Sequence, residues 1–268
     1  MSWLEIITLA LLPAFLLLDL VHRPHRDERS RWWRTRAFVV TAVNFWLSLL
    51  IGGWWAAQFD GASLFDGAAL GSAGGAVVGV LAYEFVHYWY HRSAHRFDWL
   101  WRLGHQMHHS AESLDAWGAY YLHPLDAALF VTASSLVLFP VLGLSPEAGA
   151  IAAAVLTFFA VFQHANLQTP PWLGFLIQRP ESHRIHHARG VHAYNYADLP
   201  LWDMAFGTFR NPARDAVLPQ QGFYAGASGR LLDMLLFRDI NKVRGAEQNP
   251  PRGTLGDTPR DASLGTQR

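Results

Sequence analysis

Nine of the 14 histidines in the 268-residue chain fall at spacings that bring imidazoles together in space. His91 and His95 form an HxxxH pair, His105, His108 and His109 an HxxHH triad, His183, His186 and His187 a second triad, and His164 stands alone in QHAN. On a helix, positions i and i+4 share a face, so His91 and His95 aim at one point. In HxxHH the second and third histidines lie about one turn beyond the first and about 100° apart, straddling its direction. Such a triad supplies two adjacent metal ions instead of crowding one. Nine imidazoles divide into about four or five per ion and leave positions for water, oxygen or substrate. With no cysteine in the chain, any metal takes nitrogen and oxygen ligands, and imidazole alone suits zinc, copper, iron and nickel alike.

The elements that must carry these side chains are apolar. The chain is 51% hydrophobic and only 16% charged, which is charge-poor for a soluble domain and points to a bilayer protein. Long stretches with few charges run over 3–21, 37–58, 69–90 and 125–163, and the last is long enough for two spans broken near Pro140 to Pro146. The first contains Glu5, Pro13 and Asp19 and reads alternatively as an interfacial helix or an uncleaved signal sequence, though it lacks a basic flank and a small-residue cleavage site. Gly71, Gly75 and Gly79 repeat every four residues, a stripe that lets another helix pack closely.

Five crossings with the start outside leave 22–36, 91–124 and 164–268 inside. All 21 basic residues then fall inside, six of them arginines between Arg23 and Arg36. This is the positive-inside pattern, and it places every histidine motif at the cytosolic membrane face. His22 and His25, in the basic loop, are expected to meet headgroups. The zero formal net charge gives nucleic-acid binding no support. Residues 229–239 read as a short amphipathic surface helix, and 241–268 as a disordered polar tail. The expected division is 1–68 for the N-terminal helices and basic loop, 69–210 for the catalytic membrane domain, and 211–268 for the surface helix and tail.

In order along the chain, YWYHRSAHRFDWLWRLGHQMHHS, LHPLD, VFQHANL and ESHRIHHARGVHAYNYADLPLWDMAFGTF resemble the fatty acid hydroxylase and sterol desaturase superfamily of membrane di-iron oxygenases, over about residues 84 to 210. The resemblance implies an all-α membrane bundle of four or five spanning helices with a cytosolic histidine-rich cap. It also implies two iron ions, displaceable by zinc during purification, that use O2 and electrons from a ferredoxin- or cytochrome-type donor to hydroxylate or desaturate a bilayer lipid of sterol-like, fatty acyl, carotenoid or ether type. Its metal ligands would be His91, His95, His105, His108, His109, His183, His186 and His187, with His164 at a further ligand position. Gln168 departs from the pattern, since family members can carry a histidine there. Among the remaining histidines, His192 and His123 rank above His87 as extra ligands, with His123 alternatively capping a helix.

Carboxylates that fix the tautomer of metal-bound imidazoles are sought among Glu84, Asp98, Asp126, Asp198 and Asp203, with Asp98 and Asp203 alternatively paired to nearby arginines. Asn195 and Tyr196 belong to the closing signature. Two other classes compete with an oxygenase. A zinc-dependent membrane hydrolase would need fewer histidines and the missing HExxH, and a non-catalytic metal-binding membrane protein would spread its ligands across the bilayer. No GxSxG, GxGxxG or P-loop motif is present.

Overall fold

The computed structural model describes residues 3–59 and 61–241, so nearly all of the expected tail lies outside the described residues. Five long helices dominate: α1 (Trp3–Val21), α2 (Trp33–Gln58), α3 (Gly71–Arg96), α4 (Pro124–Leu136) and α5 (Pro146–His164). All five, α1 included and α4 together with the helical turn that continues it to Val141, are long and apolar enough to cross a membrane. Large side chains such as Leu17, Trp46, Leu50 and Trp54 remain exposed, as a lipid-facing surface requires. No strand forms among the described residues beyond one isolated bridge between Ala188 and Gln221. The protein is an all-helical integral membrane bundle.

Local sequence sets the helix ends. Pro124 follows His123, whose Nδ1 accepts the Leu125 N–H at 3.1 Å, and Pro146 follows Ser145, whose hydroxyl accepts the Ala148 N–H at 3.2 Å. Both are N-caps followed by a proline that fixes φ for the first turn. Between them the chain loosens into a π-helical turn, Val137–Val141, that accommodates Pro140.

In the helix pairs, α3 packs on α5, α2 on α4 and α1 on α5. The glycine stripe explains the first pair in two of its three positions. A Cβ on Gly75 would lie 3.0 Å from Ala148 Cβ, and one on Gly79 3.5 Å from Ala152 Cβ on α5 and within 2.9 Å of Leu138 and Leu144 in the segment leading into it. Gly71 differs from the expectation: it sits in open space with φ +67°, so it turns the chain into α3 and packs against nothing.

Connections sort to two ends. At one, the 64–67 backbone donates to the carbonyls of Pro140, Val141 and Leu142. At the other, the ends of all five helices meet a cap built from 97–123 and 165–241. Its core joins Trp33 at the start of α2 to Trp101, Tyr121, Phe223, Met234 and Ile240. The expected surface helix is shorter than its pattern suggested, Leu231–Leu235, and although Leu232 and Leu236 are exposed, Met234 is fully buried in this core.

Asp19 explains its own place in an otherwise apolar span. It is fully buried near the end of α1 and accepts the backbone N–H groups of Ala116 (2.5 Å) and Asn166 (3.0 Å). Replacing it with alanine orphans two buried donors, each worth about 1–3 kcal/mol. The Asp19→Ala protein is therefore expected to melt at a clearly lower temperature than wild type in detergent, with Asp19→Asn intermediate because its amide oxygen still accepts one bond.

Candidate metal centre

The nine motif histidines all converge at the cap end of the bundle, and they converge as two groups. His91, His95, His105, His109 and His186 place one nitrogen each within 4.8 Å of one another, and His108, His164, His183 and His187 do the same. Each HxxHH triad splits between the groups. His105 and His109 (i, i+4) serve the first while His108 serves the second; His183 and His187 serve the second while His186 serves the first. The 100° offset of neighbouring helical positions is the cause. The groups lie side by side, with the His109 and His187 rings stacked at 4.1 Å.

Four elements supply these residues. His91 and His95 come from the last turns of α3, and His164 is the final residue of α5. The first triad lies on short helical pieces that include a π-helical turn, Trp101–His105, and the second on the short helix Pro180–His186 and the residue after it. The wide turn brings Gly104 against α4, where a Cβ would lie 2.7 Å from Asp126 Cβ. That closeness lets Asp126 reach His105 Nδ1 at 3.1 Å, while the Tyr90 hydroxyl donates to the other carboxylate oxygen.

The rings are aimed by their outer nitrogens. His91 Nδ1 donates to the Tyr196 carbonyl (2.6 Å), His186 Nδ1 to the Tyr194 carbonyl (2.8 Å) and His164 Nδ1 to the Ala160 carbonyl (2.7 Å). With the proton on Nδ1, each Nε2 lone pair faces inward. The Nε2 atoms of His91, His105, His109 and His186 are buried with no partner, as are both nitrogens of His187. In the second group His164 Nε2 lies 3.0 Å from both His108 Nε2 and His183 Nε2. Inward-facing, unpartnered imidazole lone pairs in a buried site fit a pair of cations, and the all-nitrogen donor set suits first-row transition metals.

Electrostatics keeps the rings in the form that ligates. Burial first, and neighbouring imidazoles next, hold His108, His109, His183 and His187 well below the ordinary histidine value of 6.5. His186 is lowered in the same way, against a raising contribution from its bond to Tyr194. All five are neutral at pH 7.

The remaining residues separate by role. His123 caps α4 and lies against Phe237, and His192 lies 5.9 Å from His95 by ring centroid with its Nε2 beside Asn241; neither joins a group. His87, ranked below them from sequence, instead forms a third cluster with Glu84 and Asp198. Gln168 is exposed and outside the second group. His22 is exposed, whereas the His25 backbone is tied to the Asn166 side chain in both directions.

Of the carboxylates, only Asp126 touches a group histidine. Asp98 is exposed. Among the described residues Asp203 pairs with no arginine; it accepts the Tyr196 and Ala197 N–H groups at 2.8 Å and the Thr208 hydroxyl at 2.6 Å. It thereby fixes the loop whose carbonyls aim His91 and His186. Asn195, at φ +53°, bonds Ser182 and Arg210 and anchors the same loop. Sequence reasoning missed Tyr194, which acts through its backbone carbonyl, and two buried arginines that clamp the cap. Arg184 pairs with Asp27 through two 2.6 Å contacts, and Arg179 binds Glu181, Asn211 and Thr169. A side-chain motif search has no signal for a carbonyl.

Five spanning helices under a cap that gathers nine imidazoles into two groups able to bind metal define a membrane protein of the histidine-motif class. Residues 76–208 match the fatty acid hydroxylase family, and the chain belongs to that superfamily. It is 32% identical over 143 residues to the ornithine lipid hydroxylase OlsE of Rhizobium tropici, covering 52% of this chain and 42% of that protein. It is 34% identical to the alkylglycerol monooxygenase of Danio rerio (52% and 31%) and 30% identical to sphinganine C4-monooxygenase 1 of Arabidopsis thaliana (48% and 55%). The chain thus matches between about a third and a little over half of these relatives' length. No solved structure gives a significant match.

Two measurements check this geometry. Gly104→Ala and Asp126→Ala are each expected to free the His105 ring and lower metal affinity about 10–100-fold in chelator competition, since the bond behind a ligand sets its orientation. The depressed histidines also fix a pH dependence. Below pH 6.5 the unfolded chain takes up protons that the folded cap does not, so stability is full above that value and lost as the pH falls. Melting of the chelated protein in detergent should shift progressively downward from pH 7 to pH 5.

Proposed function

We propose that the chain is a membrane-bound, O2-dependent oxidoreductase that hydroxylates or desaturates a lipid, with one iron ion in each histidine group. The observation that carries this reading is the division of nine buried imidazoles into neighbouring sets of five and four with lone pairs facing inward. In it, residues 69–210 are the catalytic unit, and His91, His95, His105, His109 and His186 hold one ion while His108, His164, His183 and His187 hold the other. A reduced iron pair supplies activation of O2 toward an alkyl C–H bond. The relatives named for ornithine lipid, alkylglycerol and sphinganine support a lipid substrate that stays partly dissolved in the bilayer.

The chain's own residues orient and exclude. The Tyr194, Tyr196 and Ala160 carbonyls and Asp126 hold the outer ring protons of their histidines, leaving the inner nitrogens to ligate. Trp101, fully buried 5.3 Å from both His95 and His109 by ring centroid, walls the first group from the cap core. Electrons come from a separate ferredoxin- or cytochrome-type carrier. The arginines flanking the cap end support a cytosolic placement, and the arginine- and alanine-rich composition supports a bacterial inner membrane.

Metal analysis of detergent-purified protein tests the reading. Wild type is expected to carry about two irons per chain, lost from a His108→Ala, His186→Ala variant that removes one ligand from each group. Zinc in their place calls for reconstitution with ferrous iron, and a chain that holds neither overturns the reading. With iron established, lipid extracts of cells with and without the protein should differ in one lipid class by an added oxygen or a lost pair of hydrogens.

A further inference from the structure

Glu84, His87 and Asp198 form a cluster that the two histidine groups do not use. Glu84 and His87 share a face of α3 at i, i+3, one turn further into the bundle than His91, and Asp198 arrives from the loop after the second triad. One ligand-type atom from each lies within 4.8 Å of the other two. Glu84 is fully buried and the others nearly so, at 9% and 7% exposure.

The cluster gathers two buried carboxylates around a single imidazole and leaves buried ligand-type oxygens without hydrogen bonds. Glu84 Oε2 accepts the Asp198 and Leu199 N–H groups at 2.9 and 3.0 Å, but Oε1 is buried without a partner. His87 Nδ1 lies at ion-pair distance from both carboxylates, 3.7 Å from Asp198 Oδ1 and 3.9 Å from Glu84 Oε2, but makes no hydrogen bond to either. Asp198 Oδ1 accepts the Gln163 amide at 2.7 Å, and the Gln163 Oε1 beside it is buried and free. Among the described residues, neither carboxylate has an arginine or lysine at ion-pair distance. Two buried carboxylates are tolerated when a proton or a cation lies between them.

We propose that Glu84, His87 and Asp198, with the Gln163 amide oxygen on rotation, form a third cation site that takes a divalent ion of the manganese class. The donor set separates it from the histidine groups, because carboxylate and amide oxygens favour hard ions while imidazole clusters favour iron, zinc or copper. The site also stands apart in geometry: the His87 ring stacks on His91 at 5.4 Å, but its Nδ1 faces the carboxylates. An ion there ties the 196–199 loop to α3. That loop carries the Tyr196 carbonyl that aims His91, so the third ion steadies the first group from behind.

The test uses full-length protein in detergent with its histidine groups filled with zinc, titrated with Mn(II) and read by loss of the free-ion EPR signal. Wild type is expected to bind one equivalent, and both Glu84→Gln with Asp198→Asn and His87→Phe are expected to bind at least tenfold more weakly. Each variant must keep the zinc content of wild type, which shows that the fold is intact; His87→Phe retains the ring stack should the double variant fail to fold. Wild type that binds no Mn(II), or variants that bind it as tightly, overturns the proposal. A double variant that melts above wild type without any Mn(II) binding would show that the carboxylates share a proton instead. Zinc content short of two per chain would count against the paired histidine centre and leave the manganese result readable by itself.

Discussion

The structure depends on keeping nine imidazoles desolvated and facing each other. Neutral rings with opposed lone pairs gain little from one another, and their burial is costly without bonds on their outer sides. The protein meets this by giving rings an external acceptor where it can: carbonyls of Tyr194, Tyr196 and Ala160, and the Asp126 carboxylate. Each acceptor must itself be held. Asp203 and Asn195 therefore fix the 194–198 loop, Tyr90 backs Asp126, and the π-helical turn at Gly104 brings His105 within reach. The cap is a set of nested supports whose innermost layer is the imidazoles.

The membrane bundle plays a complementary part. Close packing of α3 on α5 sets the ends of those two helices side by side, so that α3 feeds His91 and His95 to the first group and α5 feeds His164 to the second. The first group takes two of its five members from α3, and the second takes one of its four from α5. The lipid-spanning part thus supplies a third of the inner nitrogens and the rigidity that the short cap helices lack.

Much of this was legible in the chain because helical geometry relates spacing to direction. The HxxHH spacing alone implied that each triad would serve two ions, and the charge distribution implied five crossings with all motifs at one end. Polar residues outside the motifs were harder to place. Asp203 read as a carboxylate behind an imidazole or as a partner of nearby arginines, yet it binds backbone N–H groups across a tight loop. His192 and His123 looked like spare ligands by proximity along the chain, but one is drawn to Asn241 and the other to a helix start. Tyr194 and Tyr196 act through main-chain oxygens, which every residue type possesses, so their identity carried no sign of the role.

Asp19 links α1 with segments far along the chain. Its two bond donors, Ala116 and Asn166, lie about a hundred and a hundred and fifty residues downstream. Until α5 has been threaded and the loop after it has turned back, the carboxylate at the end of α1 has only water or headgroups to satisfy it. Once both donors arrive, three separate segments lock around one side chain at the rim of the cap. The acid that makes this span look least like a membrane helix is thus a latch that fastens α1 to the cap end of the bundle.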